Sequence, residues 1–183
     1  MPGPHPPRKR WFPHAHLASL DNSLSDPAAY PMDSYDQHIL TLLQRDASMS
    51  IKDLAEAVNL STTPCWKRVK RLEEEGYIRQ RVALLDPALL NLGLTVFLQL
   101  KTQRHDSEWL AHFAETVTAY EEVMECYRMA GDWDYLLRVV VADVAAYDRF
   151  YKKLITHTDG LSNITSCFAM EQMKFTTALP VRR

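Results

Sequence analysis

Reactive and charged side chains cluster in one stretch, Ser61-Thr62-Thr63-Pro64-Cys65-Trp66-Lys67-Arg68-Val69-Lys70-Arg71-Leu72. It holds four cations, at 67, 68, 70 and 71, and no acid; Glu73, Glu74 and Glu75 come only at its far end. On a helix turning about 100° per residue, Cys65, Val69 and Leu72 fall on one apolar face. Thr63, Lys67, Lys70 and Arg71 then point outward, flanked by Trp66 and Arg68. Hydroxyls and long cations of this kind reach phosphate oxygens and base edges. A basic face alone is weak support, since a solvated amphipathic helix also has one. Trp66 could stack on DNA or cover the edge of its own domain. Other chemistry is thinly supplied. Cys65, Cys126 and Cys167 show no CxxC or Cys/His zinc spacing, and Cys65, on the apolar face, reads as an inert buried thiol. His105, His112 and His157 show no partner in the sequence and read as surface residues.

The elements that must hold the basic stretch are legible. Asp33 or Ser34 caps a first helix, with Ile39, Leu40 and Leu43 on one face. Ser50-Ile51-Lys52-Asp53 resembles a capping box that opens a second helix burying Ile51, Leu54, Ala55 and Val58. Asn59 tolerates the left-handed backbone of a sharp turn. Ser61 caps the third helix, Pro64 sits in its first turn, and Gly76 ends it. Two helices joined by Asn59-Leu60-Ser61 have helix-turn-helix spacing. The N-terminal half of a recognition helix enters the major groove with its positive dipole end toward phosphate. Turn spacing, caps and a segregated basic face coincide, so double-stranded DNA is the expected partner. Tyr77–Leu84 reads as extended, a short wing or a linker strand.

After residue 91 the pattern changes. Leu92, Leu94, Val96, Leu98 and Leu100 alternate with Gly93, Thr95, Phe97, Gln99 and Lys101, as in a half-buried strand. Asp106–Val117 reads as a helix with Leu110, Phe113, Ala114 and Val117 inward. Val123–Met129 and Tyr135–Val141 read as strands joined by a tight loop through Gly131. Val144–His157 reads as a helix with Val144, Tyr147, Tyr151 and Leu154 on one side, and Ile164–Met173 as a last strand. The order βαββαβ is the ferredoxin-like arrangement, an antiparallel sheet with both helices on one face. The expected fold class is therefore α+β, a (winged) helix-turn-helix domain followed by a ferredoxin-like domain. Expected boundaries are 32–81, a linker at 82–91, and 92–180. The uncovered sheet face, with Phe97, calls for a second copy by sheet-to-sheet packing.

Bulk properties narrow the class. The chain has 183 residues and a formal net charge of -2, so any grip on nucleic acid must come from a local face. No apolar run is long enough to span a membrane, no membrane partner is expected, and a cytoplasmic location with reduced thiols is the simplest reading. Seven of the ten prolines lie within residues 1–31, which read as a disordered extension. Arg8, Lys9 and Arg10 could form a basic arm there, or Met32 could be the functional start.

Asp36-Gln37-His38-Ile39-Leu40-Thr41-Leu42-Leu43-Gln44, Leu60 through Glu73, Gly76-Tyr77-Ile78 and Gly131-Asp132-Trp133-Asp134-Tyr135-Leu136-Leu137 together resemble the leucine-responsive/asparagine-regulator (Lrp/AsnC) family over about residues 33–180. The resemblance implies a transcriptional regulator, not an enzyme and without a cofactor or metal. It implies DNA contacts from Ser61, Thr62, Thr63, Pro64, Trp66, Lys67, Arg68, Lys70 and Arg71 on a pseudo-palindromic operator. It implies homodimers that assemble further, typically to octamers. It also implies an amino acid effector held at an interface between dimers by Met129, Gly131, Asp132, Asp134 and Tyr135, with Thr165, Ser166 and Cys167 from the last strand. The chemistry fits: a carboxylate such as Asp132 or Asp134 meets the ammonium, and loop N–H groups meet the carboxylate. A Gly-Asp-x-Asp loop is also an ordinary tight turn. Thr62 through Arg68, Val82-Ala83-Leu84-Leu85-Asp86-Pro87 and Ser166-Cys167-Phe168-Ala169-Met170-Glu171-Gln172 are similar to the branch that activates cysteine detoxification genes, which points to L-cysteine. Haem-pathway decarboxylase subunits share the architecture and form the alternative, with His105, His112 and His157 as acid–base candidates; such an enzyme has no need of the basic third helix.

Overall fold

The computed structural model describes residues 32–181, so the expectations for residues 1–31 lie outside the described residues. Three helices come first: α1 (Ser34–Leu43), α2 (Ile51–Ala57) and α3 (Thr62–Glu74). Asp33 starts α1 with a reciprocal capping box. The Asp36 N–H donates to Asp33 Oδ1 (2.9 Å) and the Asp33 N–H donates to Asp36 Oδ2 (3.2 Å). Ser50 caps α2 by accepting the Asp53 N–H (3.1 Å). Asn59 takes φ 55°, and the Leu60 N–H reaches back to Ala55 O (2.9 Å), a closure that turns the chain sharply into α3. Ser61 holds the N-cap position of α3 through its extended backbone, with no side-chain capping bond. Gly76, at φ 79°, ends the helix. Ile39, Leu40, Leu54, Ala55, Val58, Cys65, Val69 and Leu72 form the core. Leu43 and Ile51, read as inward, are only partly buried against it.

The second unit is β1 (Leu94–Thr102), α4 (Ser107–Ala119), β2 (Val123–Arg128), β3 (Tyr135–Val141), α5 (Val144–His157) and β4 (Leu161–Phe168). The sheet runs β2-β3-β1-β4 with every neighbour antiparallel, the ferredoxin-like order. Val96, Leu98 and Leu100 of β1 and Tyr135, Leu137, Val139 and Val141 of β3 face the helices. There they meet Trp109, Phe113 and Val117 of α4 and Tyr147, Phe150 and Leu154 of α5. Trp109 stacks on Phe113 with centroids 5.0 Å apart, and its indole N–H donates to Asp159 O (2.8 Å).

Several expectations are corrected. Trp109 and Phe150 point inward beside the expected Phe113 and Tyr147; Leu110, Ala114 and Tyr151 are only partly buried, and Val144 is exposed. Both helices rotate so that aromatic rings, which bury the most area, fill the gap to the sheet. β1 starts at Leu94 because Pro87–Leu92 closes a turn, with the Leu92 N–H on Pro87 O (2.8 Å) and Asn91 at φ 56°. β4 ends at Phe168, five residues before the expected Met173, where the chain leaves the sheet. The segment read as a short wing or linker strand, Tyr77–Leu84, carries no regular strand and runs as coil, with Arg81 bonded to Ala47 O and Glu73.

Candidate nucleic-acid interface and effector loop

The exposed face of α3 carries Ser61, Thr62, Thr63, Pro64, Trp66, Lys67 and Lys70. Trp66 is 50% exposed, so it lies on this face and does not seal the core. Cys65 is fully buried, and burial raises its thiol pKa, which leaves it protonated and unreactive at neutral pH.

Arg68 and Arg71 depart from the outward orientation expected for them. Each side chain is 27% exposed, and its guanidinium folds back onto the start of α1. Arg68 Nη1 donates to Asp36 Oδ1 (2.8 Å) and lies 2.7 Å from Asp33 Oδ2, with its plane near the Tyr35 ring (5.4 Å). Arg71 Nη2 donates to Asp36 Oδ2. The Asp36 side chain is 1% exposed. A buried carboxylate must be paired, and these two arginines pair it. Burial alone would lower the Arg68 guanidinium pKa; the bonds to Asp36 and Asp33 outweigh it and raise the value. Asp33 shows the mirror case. Burial opposes its charge, yet the Asp36 N–H and Arg68 hold its carboxyl below the usual range. Arg68 and Arg71 therefore fix the angle between α1 and α3, while Lys67 and Lys70 remain as the outward cations of the helix. Asp36 was missed by sequence reasoning as a functional support. Nothing local in the sequence signals partners 32 and 35 residues away.

The β2–β3 loop forms the second candidate site. The Met129 N–H donates to Asp134 O (2.8 Å) and closes the hairpin. Gly131 sits at φ 138°, a conformation that glycine adopts most readily. Met129, Gly131 and Asp132 are exposed at the tip. Asp134 is engaged in the fold: its Oδ2 accepts the Thr102 N–H (2.8 Å), and its own N–H donates to Leu100 O (3.0 Å). The Tyr135 ring is buried between Trp109 and Phe113 (4.6 Å to Phe113) on the helix side.

The last strand divides by register. Ser166 pairs with Leu98 on the helix side, and its hydroxyl bonds the Tyr147 hydroxyl. Thr165 pairs with Gln99 and Cys167 with Phe97, on the open sheet face. Leu136 also pairs with Gln99, so Thr165 stands two strand spacings, roughly 10 Å, from β3. A single protomer does not bring the hairpin tip and Thr165 together. Gln99, Lys101 and Trp133 occupy the ground between. Lys101 Nζ lies 5.3 Å from the Trp133 ring centroid. The period-2 pattern of β1 placed Gln99 and Lys101 on the open face; their neighbours depended on a register the sequence does not display.

The histidines are less isolated than expected. The Tyr120 hydroxyl and His157 Nδ1 are 2.8 Å apart, and both line a shallow cavity of about 430 Å³ with His112, Thr116 and Ala119. Among the described residues, no carboxylate or thiol lines it.

Comparison with known proteins places both units. A winged helix-turn-helix DNA-binding model matches residues 32–79, and the Lrp/AsnC ligand binding domain matches residues 95–179. The DNA-binding transcriptional activator DecR of Escherichia coli K12 is 55% identical over 150 residues, which is 82% of this chain and 99% of that protein. The glutamate uptake regulatory protein of Zymomonas mobilis is 43% identical, over 82% of this chain and 91% of its own length. An AsnC family transcriptional regulator from Agrobacterium tumefaciens superposes with a TM-score of 0.79 at 54% identity, covering 81% of this chain and 97% of that one. A Neisseria meningitidis transcriptional regulator solved as an L-Met complex gives 0.77 at 35% identity, covering 81% and 96%. A helix-turn-helix with an exposed basic recognition face, followed by a ferredoxin-like ligand-binding domain, places this chain in the Lrp/AsnC family of DNA-binding transcriptional regulators.

Proposed function

We propose that this chain is an amino-acid-responsive regulator that reads a pseudo-palindromic operator as a homodimer or larger assembly, octamers included. The observation that carries the DNA half is the face of α3: Thr62, Thr63, Trp66, Lys67 and Lys70 are free to meet the groove, while Arg68 and Arg71 hold the helix from behind. Ser61 and Pro64 bring the N-terminal end of the helix to the phosphates. Two such helices in a dimer meet successive major-groove faces about 34–36 Å apart.

The effector is an amino acid, and L-cysteine is the candidate. Asp132 is exposed at the hairpin tip and is suited to an ammonium; the loop N–H groups around Gly131 are suited to a carboxylate. The L-Met complex of the Neisseria regulator supports the ligand class. The distance between the hairpin tip and Thr165 supports a site shared between copies, with Thr165 contributed by a neighbour. Exposed apolar side chains at Leu84, Leu85, Leu89 and Leu90 and the open face around Phe97 supply surface for that assembly.

Thermal melting against the twenty amino acids, with cysteine kept reduced, tests the effector. A ligand at 100 times its Kd stabilises by roughly 2.7 kcal/mol, a shift of several degrees. Cysteine alone should give the shift, and Asp132→Asn should abolish it. A shift with another amino acid would refute cysteine; no shift with any would refute an amino acid effector.

A further inference from the structure

The chain that leaves the sheet at Phe168 returns to the first domain. Its exit is fixed beside the point where the linker enters: Phe168 pairs with Val96, and the Ala169 N–H donates to Thr95 O (2.9 Å). Residues 169–181 then form no helix or strand. Met170 and Met173 are 102% and 91% exposed, so burial does not hold the middle of this segment. Its far end is held. Gln44, the C-cap of α1, donates from Nε2 to Leu179 O (3.2 Å) and accepts the Leu179 N–H at Oε1 (2.6 Å). One amide side chain thus takes both main-chain groups of Leu179, as a neighbouring strand would. Two residues on, Val181 packs against the core of the helix-turn-helix domain.

The segment is therefore anchored at both ends and unsupported between them. Its first anchor follows Thr165, Ser166 and Cys167 of β4 directly. Its second sits at the end of α1 whose other end, Asp36, holds α3 through Arg68 and Arg71. We propose that residues 169–181 act as a strap, a second connection beside the linker, that couples the state of β4 to the orientation of the recognition helix. A change at β4 pulls on α1, and α1 cannot turn without turning α3. The coupling needs no particular effector, so it stands or falls separately from the assignment of cysteine.

The test uses the full chain, a Gln44→Ala variant, and a chain ended after Phe175. Scanning calorimetry should show one transition for the parent and two for both variants, with the helix-turn-helix domain melting first. Amide exchange at the end of α1 should quicken roughly tenfold in Gln44→Ala, the effect of two lost hydrogen bonds at about a factor of three each. A duplex selected for binding by the full chain should slow exchange in β1 and β4 of the parent and leave it unchanged in the variants, which still bind the duplex. Gln44→Ala keeps the test open should the shortened chain fail to fold. Two transitions in the parent, a single one in Gln44→Ala, or equal β4 protection with and without the Gln44 bonds would overturn the proposal.

Discussion

Replacing Arg68 and Arg71 together by alanine separates a supporting role from a DNA-contacting one. Both guanidinium groups end on Asp36, whose side chain is 1% exposed. Removing them leaves a buried carboxylate with the Asp33 N–H as its one remaining described partner. Stranding a buried charge costs about 3–5 kcal/mol. At 4–8 °C per kcal/mol for a small domain, the helix-turn-helix domain should melt roughly 12 °C or more below the parent. Asp36→Asn should cost less, because the freed arginines are 27% exposed and can turn to water. Calorimetry gives the stability, and a salt titration of duplex binding below the melting range gives the number of phosphates neutralised, through the counterions released. A supporting role predicts a large loss of stability with the salt slope nearly kept. A double variant whose stability lies within about 1 kcal/mol of the parent's while its slope drops by about 1.8, the value for two phosphate contacts at about 0.9 each, would refute the supporting role.

Phe150→Ala should cost about 3–5 kcal/mol and Val144→Ala within about 0.5, because the first fills the sheet–helix core and the second faces solvent; urea midpoints decide between them. Gly160→Ala should cost about 1–2 kcal/mol by the same measure, since Gly160 sits at φ 72° and an added Cβ would lie 3.2 Å from the Arg104 side chain. Acid should destabilise the fold. Asp106 is held below the usual carboxylate range by the Trp109 N–H and Arg104, Glu125 by Arg138, and Asp33 by the Asp36 N–H and Arg68 against the cost of burial. Their unfolded values lie near 4, so this stability is complete above that pH and is lost as pH falls through the lower folded values. Urea midpoints should be level between about pH 7 and 5 and fall below about 4; a rise on acidification would contradict the pairing.

Much of the architecture was legible because local signals agreed. Asn59 and Gly76 mark turns that need a positive φ, and Cys65, Val69 and Leu72 recur at helical spacing. β3 is legible to its ends because Tyr135-Leu136-Leu137-Arg138-Val139-Val140-Val141 is a short apolar run rich in β-branched residues, bounded by Asp134 and Asp143. β4 was placed late, since Ser162, Asn163, Thr165 and Ser166 give it little apolar contrast. The sites were read less well than the elements. Arg68 and Arg71 lie near the polar side of the helical wheel, and only the fold brings Asp36 beneath them. Tyr135 borders a polar loop in sequence, but the strand's alternation turns its ring into the core. Ser166 and Thr165 are adjacent in the chain and face opposite sides of the sheet. The return of Leu179 to Gln44, 135 residues away, left no trace in periodicity.

The central claim is that α3 presents Lys67 and Lys70 to DNA. Fluorescence anisotropy of a selected duplex, titrated with salt for the parent and for Lys67→Ala with Lys70→Ala, measures it directly. Both lysines are exposed and away from the core, so the double variant should keep its melting temperature while the slope of log affinity against log salt falls by about 1.8. An unchanged slope and affinity in a folded double variant would mean that DNA is held elsewhere and that this face of α3 is not the reading surface.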